Sequence, residues 1–341
     1  MSREAKKPEI KKYAKIISAG MALGKIKVTN DEYEKITGVK LPREWRTALE
    51  ERIGIKLRYM ATPDQSPSDL AAEAAKNALK KAGLTIDDID LILVTTDTPD
   101  FQTPPTESAL HHKLGAKLKT GGFDINAACA DMTIGLMVAS YYIMMNDDVN
   151  YAIVVAPYTM TKFVDWEDVT ASIFSDAAGA VILGPSDELG FITGKIISDG
   201  SYWDYWGIYI GGYRPVNEEV IKEKWHKLRY LKRYPPDVNI RHWPNLIRET
   251  VKKAGLTVDD INHYFITQVN KSTIIQLMRL LGQPVEKAHM IMEKYGYTGS
   301  SCAFLALHDA IEQNKIKKGD YLLFCTSGVG FVMASAIFKW T

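Results

Sequence analysis

Apolar residues along the chain follow two rhythms. From Leu70 to Lys81, alanines and leucines recur at helical spacing, which predicts an amphipathic helix capped by Gly83. Short apolar runs come next: LILVTTDT at 91–98 and, much later, HYFITQVN at 263–270. Runs of that length between helices predict strands buried between helical layers. Two more helices are expected to end at LHHKLG (110–115) and LMRLLG (277–282). Strand pairs close each series, NYAIVVAPY with GAVILG and DYLLFCTSG with MASAIFKW.

The two series are one series repeated. KKAGLTIDDID at 80–90 returns as KKAGLTVDDIN at 252–262, with nine of eleven positions matching at an offset of 172. KIISAG at 15–20 and KIISDG at 195–200 open the two copies. A duplicated α/β chain is therefore expected, with halves at 1–187 and 188–341. Ligands of open α/β sheets lie beyond the carboxyl ends of strands, so the loops after equivalent strands are where chemistry is expected.

Composition changes the picture mainly by exclusion. The 341 residues hold 42 Lys+Arg against 41 Asp+Glu, which argues against a general nucleic-acid binder and against an acidic tail. Cys129, Cys302 and Cys325 are too few and too scattered for a disulfide framework or a metal site. A reducing, cytoplasmic setting is the simplest expectation. Met1 to Lys15 lacks the apolar run of a signal peptide, and Met132 to Met145 is too short to span a bilayer. Neither a Walker A pattern nor a dinucleotide glycine fingerprint occurs.

One loop carries candidate chemistry. In GGFDINAACADMTIGLMVAS, residues 121–140, a short strand from Gly122 to Ile125 leads into Asn-Ala-Ala-Cys and a nearly uncharged helix. This places Cys129 at or near a helix N-terminus, where backbone N–H groups and the helix dipole favour a thiolate. The residues alone leave a small buried core cysteine equally open.

A resemblance bears on that choice. EERIGIKLR (50–58), SDLAAEAAKNAL (68–79), IDLILVTTDTPD (89–100), FDINAAC (123–129), FSDAAGAVILG (174–184), YGYTGSS (295–301) and KKGDYLLFCTSGVGF (317–331) together resemble ketoacyl-ACP synthase III of the thiolase superfamily. The resemblance implies a five-layered αβαβα fold built from two duplicated halves, usually a homodimer. It implies that Cys129 takes an acyl group from an acyl-CoA or acyl carrier protein thioester, with no tightly bound cofactor. It also implies an oxyanion hole from the backbone N–H groups of Cys129 and Val329, the latter in the Gly328-Val329-Gly330 turn.

The second half departs from the family. The histidine of a His-Gln-Ala-Asn segment is replaced in Thr267-Gln268-Val269-Asn270, and the asparagine of Gly-Asn-Thr is replaced in Gly296-Tyr297-Thr298. In the family that pair stabilises the enolate left when a malonyl thioester loses carbon dioxide. Threonine carries no titratable proton near neutral pH, and a phenol of reference pKa about 10 is a poor base. Standard decarboxylative condensation is not expected. Cysteine acylation, which needs neither side chain, is. An acyltransferase with an altered acceptor step is the leading expectation. A degenerate subunit supporting a complete thiolase-superfamily partner, in a hetero-complex, is the alternative. A thioester-binding protein with an incidental cysteine comes third.

By the same resemblance, Trp45 and Arg52 fall where the family grips CoA, and Asn270 is assigned to thioester binding. Helix packing is the plain alternative for Trp45. Residues 202–243 have no counterpart in the repeat; they hold four of seven tryptophans and the basic run KEKWHKLRYLKR at 222–233. That run is read as a solvated helix or as a surface for an anionic partner, CoA phosphates or an acidic carrier. His263, four residues before Thr267 on one predicted strand, is not expected to replace the missing histidine.

Overall fold

The computed structural model describes residues 9–341. The first sheet takes five strands from residues 13–186: β1 (Tyr13–Leu23), β2 (Leu91–Thr95), β3 (Gly121–Ile125), β4 (Ala152–Tyr158) and β5 (Ala177–Ser186). Their order is β1-β5-β4-β2-β3, with β2 parallel to both β3 and β4, and β5 antiparallel to both β1 and β4. The second sheet takes β6 (Phe191–Tyr202), β7 (His263–Ile266), β8 (Tyr321–Gly328) and β9 (Gly330–Lys339), in the order β7-β8-β9-β6. Each strand of this sheet pairs as its counterpart does in the first: β7 runs parallel to β8, and β9 antiparallel to β8 and β6. The counterpart of β3 has shrunk to a single bridge between Tyr264 and Ala288.

Helices complete five layers. On the outer face of the first sheet lie α1 (Pro67–Ala82) and α2 (Thr106–Leu114). Between the sheets lie α3 (Asp131–Met145) and α6 (Cys302–Glu312), each touching strands of both. Outside the second sheet lie α4 (Val238–Lys253) and α5 (Lys271–Leu281). The sequence explains this placing. The outer helix α1 buries one face of alanines and leucines, whereas α3 is apolar nearly all round because both faces are covered. Although Ala128–Met145 has the length and composition of a membrane span, 67% of it is buried inside the protein. It is a core helix.

The repeat extends to local backbone chemistry. Gly83 and Gly255 both adopt left-handed backbone, φ 66° and 72°, just past α1 and α4. Thr85 with Asp88 and Thr257 with Asp260 then form matching capping boxes, the threonine N–H donating to the aspartate at 2.7 Å in each. Sequence identity at 80–90 and 252–262 is thus conservation of a helix stop and a turn into the next strand. The fold is the five-layered αβαβα arrangement of the thiolase-like proteins, and it brings the loops after β2, β3 and β7 and the β8–β9 turn to one place.

Candidate active site

Cys129 lies in that place. After β3 the chain passes through Asn126 and Ala127 to Ala128, a non-glycine residue with φ 46°. The Asn126 side chain accepts the Ala128 N–H at 3.1 Å, which holds this turn. Ala130 and Asp131 then donate to the Ala127 and Ala128 carbonyls at 3.2 and 3.0 Å, leaving the Cys129 N–H outside the turn. Gly328 packs directly against it. A Cβ on Gly328 would sit 2.4 Å from the Ala127 carbonyl oxygen and 3.0 Å from the Cys129 nitrogen. Only glycine lets the β8–β9 turn come this close, and its approach sets Val329 beside Cys129. The two residues assigned to the oxyanion hole are therefore adjacent.

Cys129 is also the meeting point of two cavities. One, of about 500 Å³, is lined by Asp97, Tyr158, Met160, Leu228 and Phe331 among others. The second, of about 290 Å³, is lined by Trp45, Thr267, Asn270, Thr273 and Tyr297. Cys129, Trp206 and Val329 belong to both. Of the residues that the resemblance assigns to the site, all but Arg52 line these cavities. Arg52 is exposed at the end of the 48–53 turn and, among the described residues, has no partner. A Cβ on Gly54, two residues on, would lie 3.0 Å from Lys271 Cβ, so the two backbones run close together. Arg52 precedes and Lys271 follows a lining residue of the second cavity, Ile53 and Asn270 respectively, and Lys271 was not foreseen.

Several expectations change. Cys129 does lie near the helix N-terminus, two residues before the first helical residue, Asp131. Burial pushes the thiol up, and the nearby Asp97 and Asp131 add to the effect. The thiol is thus protonated at rest, against the thiolate expected from a helix terminus. Tyr297 hydroxyl hydrogen-bonds the thiol from the other side. Its own pKa is pushed up by burial and by Cys129, so it stays a neutral donor. The tyrosine is fixed by backbone bonds to Ile173 and Ser175 (3.0 and 2.9 Å) and by ring contacts to Phe174 and Tyr158.

Thr267 and Asn270 are largely occupied. β7 stops at Ile266, so Thr267 begins the loop rather than continuing the strand. Its hydroxyl accepts the Ser327 N–H at 2.9 Å and so ties the loop to the end of β8. Asn270 caps α5, its side-chain oxygen accepting from Ser272 N–H at 3.0 Å and Ser272 hydroxyl at 2.7 Å. Trp45 lines the second cavity while its indole N–H donates to Ser172 at 2.9 Å. His263 is bound to Asp320 at 3.1 Å, away from the site.

The stretch expected to have no counterpart runs between β6 and α4, residues 203–237, and does have one in position: residues 24–66, between β1 and α1, also hold a two-stranded ribbon, Ile26–Thr29 with Leu57–Met60. Its Trp206–Gly207 and Arg229–Tyr230 segments form a small ribbon, with the Trp206 and Tyr230 rings stacked 5.3 Å apart. Trp206, Leu228, Tyr230 and Tyr234 wall the two cavities. Trp243 does not belong to this group; it is a core residue of α4. The basic run is not a solvated helix, since helix ends at Lys222 and turns follow. Much of its charge is spent internally: Lys224 pairs with Asp165 and Glu167, Lys232 with Asp204, and Arg229 lies over Trp225.

Sequence reasoning missed two acids. Asp97, read as part of a buried strand, stands in the loop after β2 and lines the larger cavity. Asp131, fully buried, accepts the Ser300 hydroxyl at 3.1 Å. A charged residue inside an apolar run was the available signal, because burying a carboxyl without a purpose is costly.

Known proteins share this fold. Residues 123–200 match 3-oxoacyl-[acyl-carrier-protein] synthase III, and residues 251–340 match the C-terminal part of the same family. The chain is 33% identical to beta-ketoacyl-[acyl-carrier-protein] synthase III of Alkalilimnicola ehrlichii over 329 residues, covering 96% of this chain and 99% of that one. Among solved structures it is similar to the Aquifex aeolicus 3-oxoacyl-[acyl-carrier-protein] synthase III, with TM-score 0.82, 30% identity, and 96% and 100% of the two chains covered. It is likewise similar to the priming beta-ketosynthase of the R1128 polyketide pathway, with TM-score 0.87, 27% identity and 99% of each chain covered. With a buried cysteine between two cavities and kinship along nearly its whole length, the chain belongs to the 3-oxoacyl-[acyl-carrier-protein] synthase III family, whose members transfer and condense acyl groups.

Proposed function

We propose that the protein is an acyltransferase that loads an acyl group from acyl-CoA or an acyl carrier protein onto Cys129 and passes it to an acceptor by a route other than standard decarboxylative condensation. The observation that carries this is the position of Cys129 where two cavities join. The cavity bordered by Trp45 and Asn270 suits the thioester arm, with Arg52 and Lys271 near its mouth for the CoA phosphates. The larger one, walled by Met160, Leu228 and Phe331, suits the acyl chain. Cys129 and Val329 N–H groups stabilise the oxyanion as the thioester carbonyl is attacked. Tyr297 donates a hydrogen bond to the sulfur. Thr267, tied to Ser327, holds the loop and moves no proton.

Incubation with straight-chain acyl-CoA from acetyl to dodecanoyl, followed by intact-mass measurement, tests this reading. The expected result is one acyl adduct, absent from Cys129→Ala. No adduct with any donor, on CoA or on carrier protein, rejects it. The occupation of Thr267 favours a second reading, a degenerate subunit supporting an active partner. Such a subunit would form no adduct alone and would raise the activity of the partner chain.

A further inference from the structure

A protonated, buried thiol needs a base beside it. The candidates around Cys129 are few. Among the described residues no Lys, Arg or His lines either cavity. His242 packs on Phe331, ring centroids 4.9 Å apart, without reaching the lining. Tyr158, Tyr297 and Cys302 are all pushed up by burial and stay neutral, and burial with Asp97 nearby does the same to Asp131. Asp97 is different. Burial raises its carboxyl only to about 6, so it exchanges protons near neutral pH.

Geometry singles out the same residue. Asp97 lines the larger cavity beside Cys129, and its Oδ1 is buried with no protein partner. The Ser300 hydroxyl interacts with its carboxyl and with that of Asp131, at 3.1 Å from the latter. The two carboxyls thus flank one buried hydroxyl close to Cys129. The repeat offset of 172 places Asp97 opposite position 269, since 97 + 172 = 269, within the 267–270 loop where the family's base is lost. Loops from the two copies flank Cys129, and the titrating group stands on the first copy.

We propose that Asp97 is the general acid–base of this enzyme, positioned by Ser300 and Asp131, and that its acceptor is an uncarboxylated nucleophile activated by proton removal. The proposal rests on the acyl-Cys129 reading. In the first half-reaction the Asp97 carboxylate takes the S–H proton as sulfur attacks the thioester carbonyl. The carbon–sulfur bond to the carrier breaks, and the departing thiolate takes that proton from Asp97. In the second half, Asp97 takes the acceptor's X–H proton as X attacks the acyl carbon, and the Cys129 sulfur leaves and recovers the proton. A malonyl carboxylate would meet Asp97 and no cation among the residues lining the cavities.

Pantetheine is a neutral thiol acceptor and serves as the probe. Acyl exchange from acyl-CoA to pantetheine is measured for wild type, Asp97→Asn and Asp97→Glu. Asn lowers kcat by about 10²–10⁴, with KM for acyl-CoA within about threefold of wild type. Glu recovers part of the rate. The wild-type rate rises with pH through a midpoint near 6, a limb that Asn loses. Wild-type exchange by Asp97→Asn, no acid limb in the wild type, or carbon dioxide release from malonyl-CoA as fast as exchange would each overturn the proposal. Should Asn fail to fold, the wild-type profile and the Glu variant decide. Failure of wild type to acylate Cys129 at all rejects the proposed function instead.

Discussion

At the residue scale, position rather than residue type decides the chemistry. Gly328 has an ordinary backbone conformation and is needed only because a side chain has no room against the Ala127 carbonyl and the Cys129 nitrogen. Gly328→Ala is expected to push the Val329 N–H out of line with that of Cys129. Acylation then falls by about 10²–10³, the usual cost of one oxyanion donor, while far-UV circular dichroism is unchanged. The sequence pointed to Cys129 and to the glycine turn because both sit in long recognisable segments. It could not reveal Asp97 with Asp131. Their partnership runs through Ser300, and the three residues meet only when the two halves close on each other. The choice left open for the Cys129 thiol is decided the same way: the local helix argued for a thiolate, but burial and the neighbouring Asp97 and Asp131 push the thiol up.

At the element scale, helix stops and starts were the most legible features. Gly83, Gly115, Gly255 and Gly282 all follow helices with positive φ, as their places in the pattern demanded. Strand ends were less legible. An apolar run does not show where pairing stops, so 91–98 and 263–270 were read three and four residues too long. That error hid the loop carrying Asp97 and the one carrying Thr267. Asn270 shows how an element can borrow a functional position. Losing its cap on α5 should cost about 1 kcal/mol, so Asn270→Ala melts earlier than wild type. Asn270→Ser restores the cap and the melting temperature. A raised KM for acyl-CoA that persists in the Ser variant identifies a separate role for the amide in binding the thioester arm.

At the scale of the whole molecule, duplication makes the scaffold and asymmetry makes the site. The two sheets pair alike, yet only the first keeps a fifth strand, and of the two segments between first strand and first long helix only 203–237 walls both cavities, while 24–66 reaches only the second. The architecture was readable from the repeat because one unit, recognised twice, fixes the layer order. The inserted segment was recognised as extra but not as a roof, since its Trp206–Tyr230 stack joins residues 24 apart that follow no periodic pattern. The fifth strand, β3, lies at the edge of its sheet with one side unpaired among the described residues. An open edge invites pairing with another copy of the chain. β3 ends at Ile125, four residues before Cys129, so whatever stiffens that strand also stiffens the turn holding Cys129. Pairing of two copies along β3 would make catalytic strength a matter of mass action. Specific activity is expected to fall on dilution in step with loss of dimer in sedimentation, and to return on concentrating the sample. A rate per subunit that stays constant through dissociation would show that each nucleophile stands on its own.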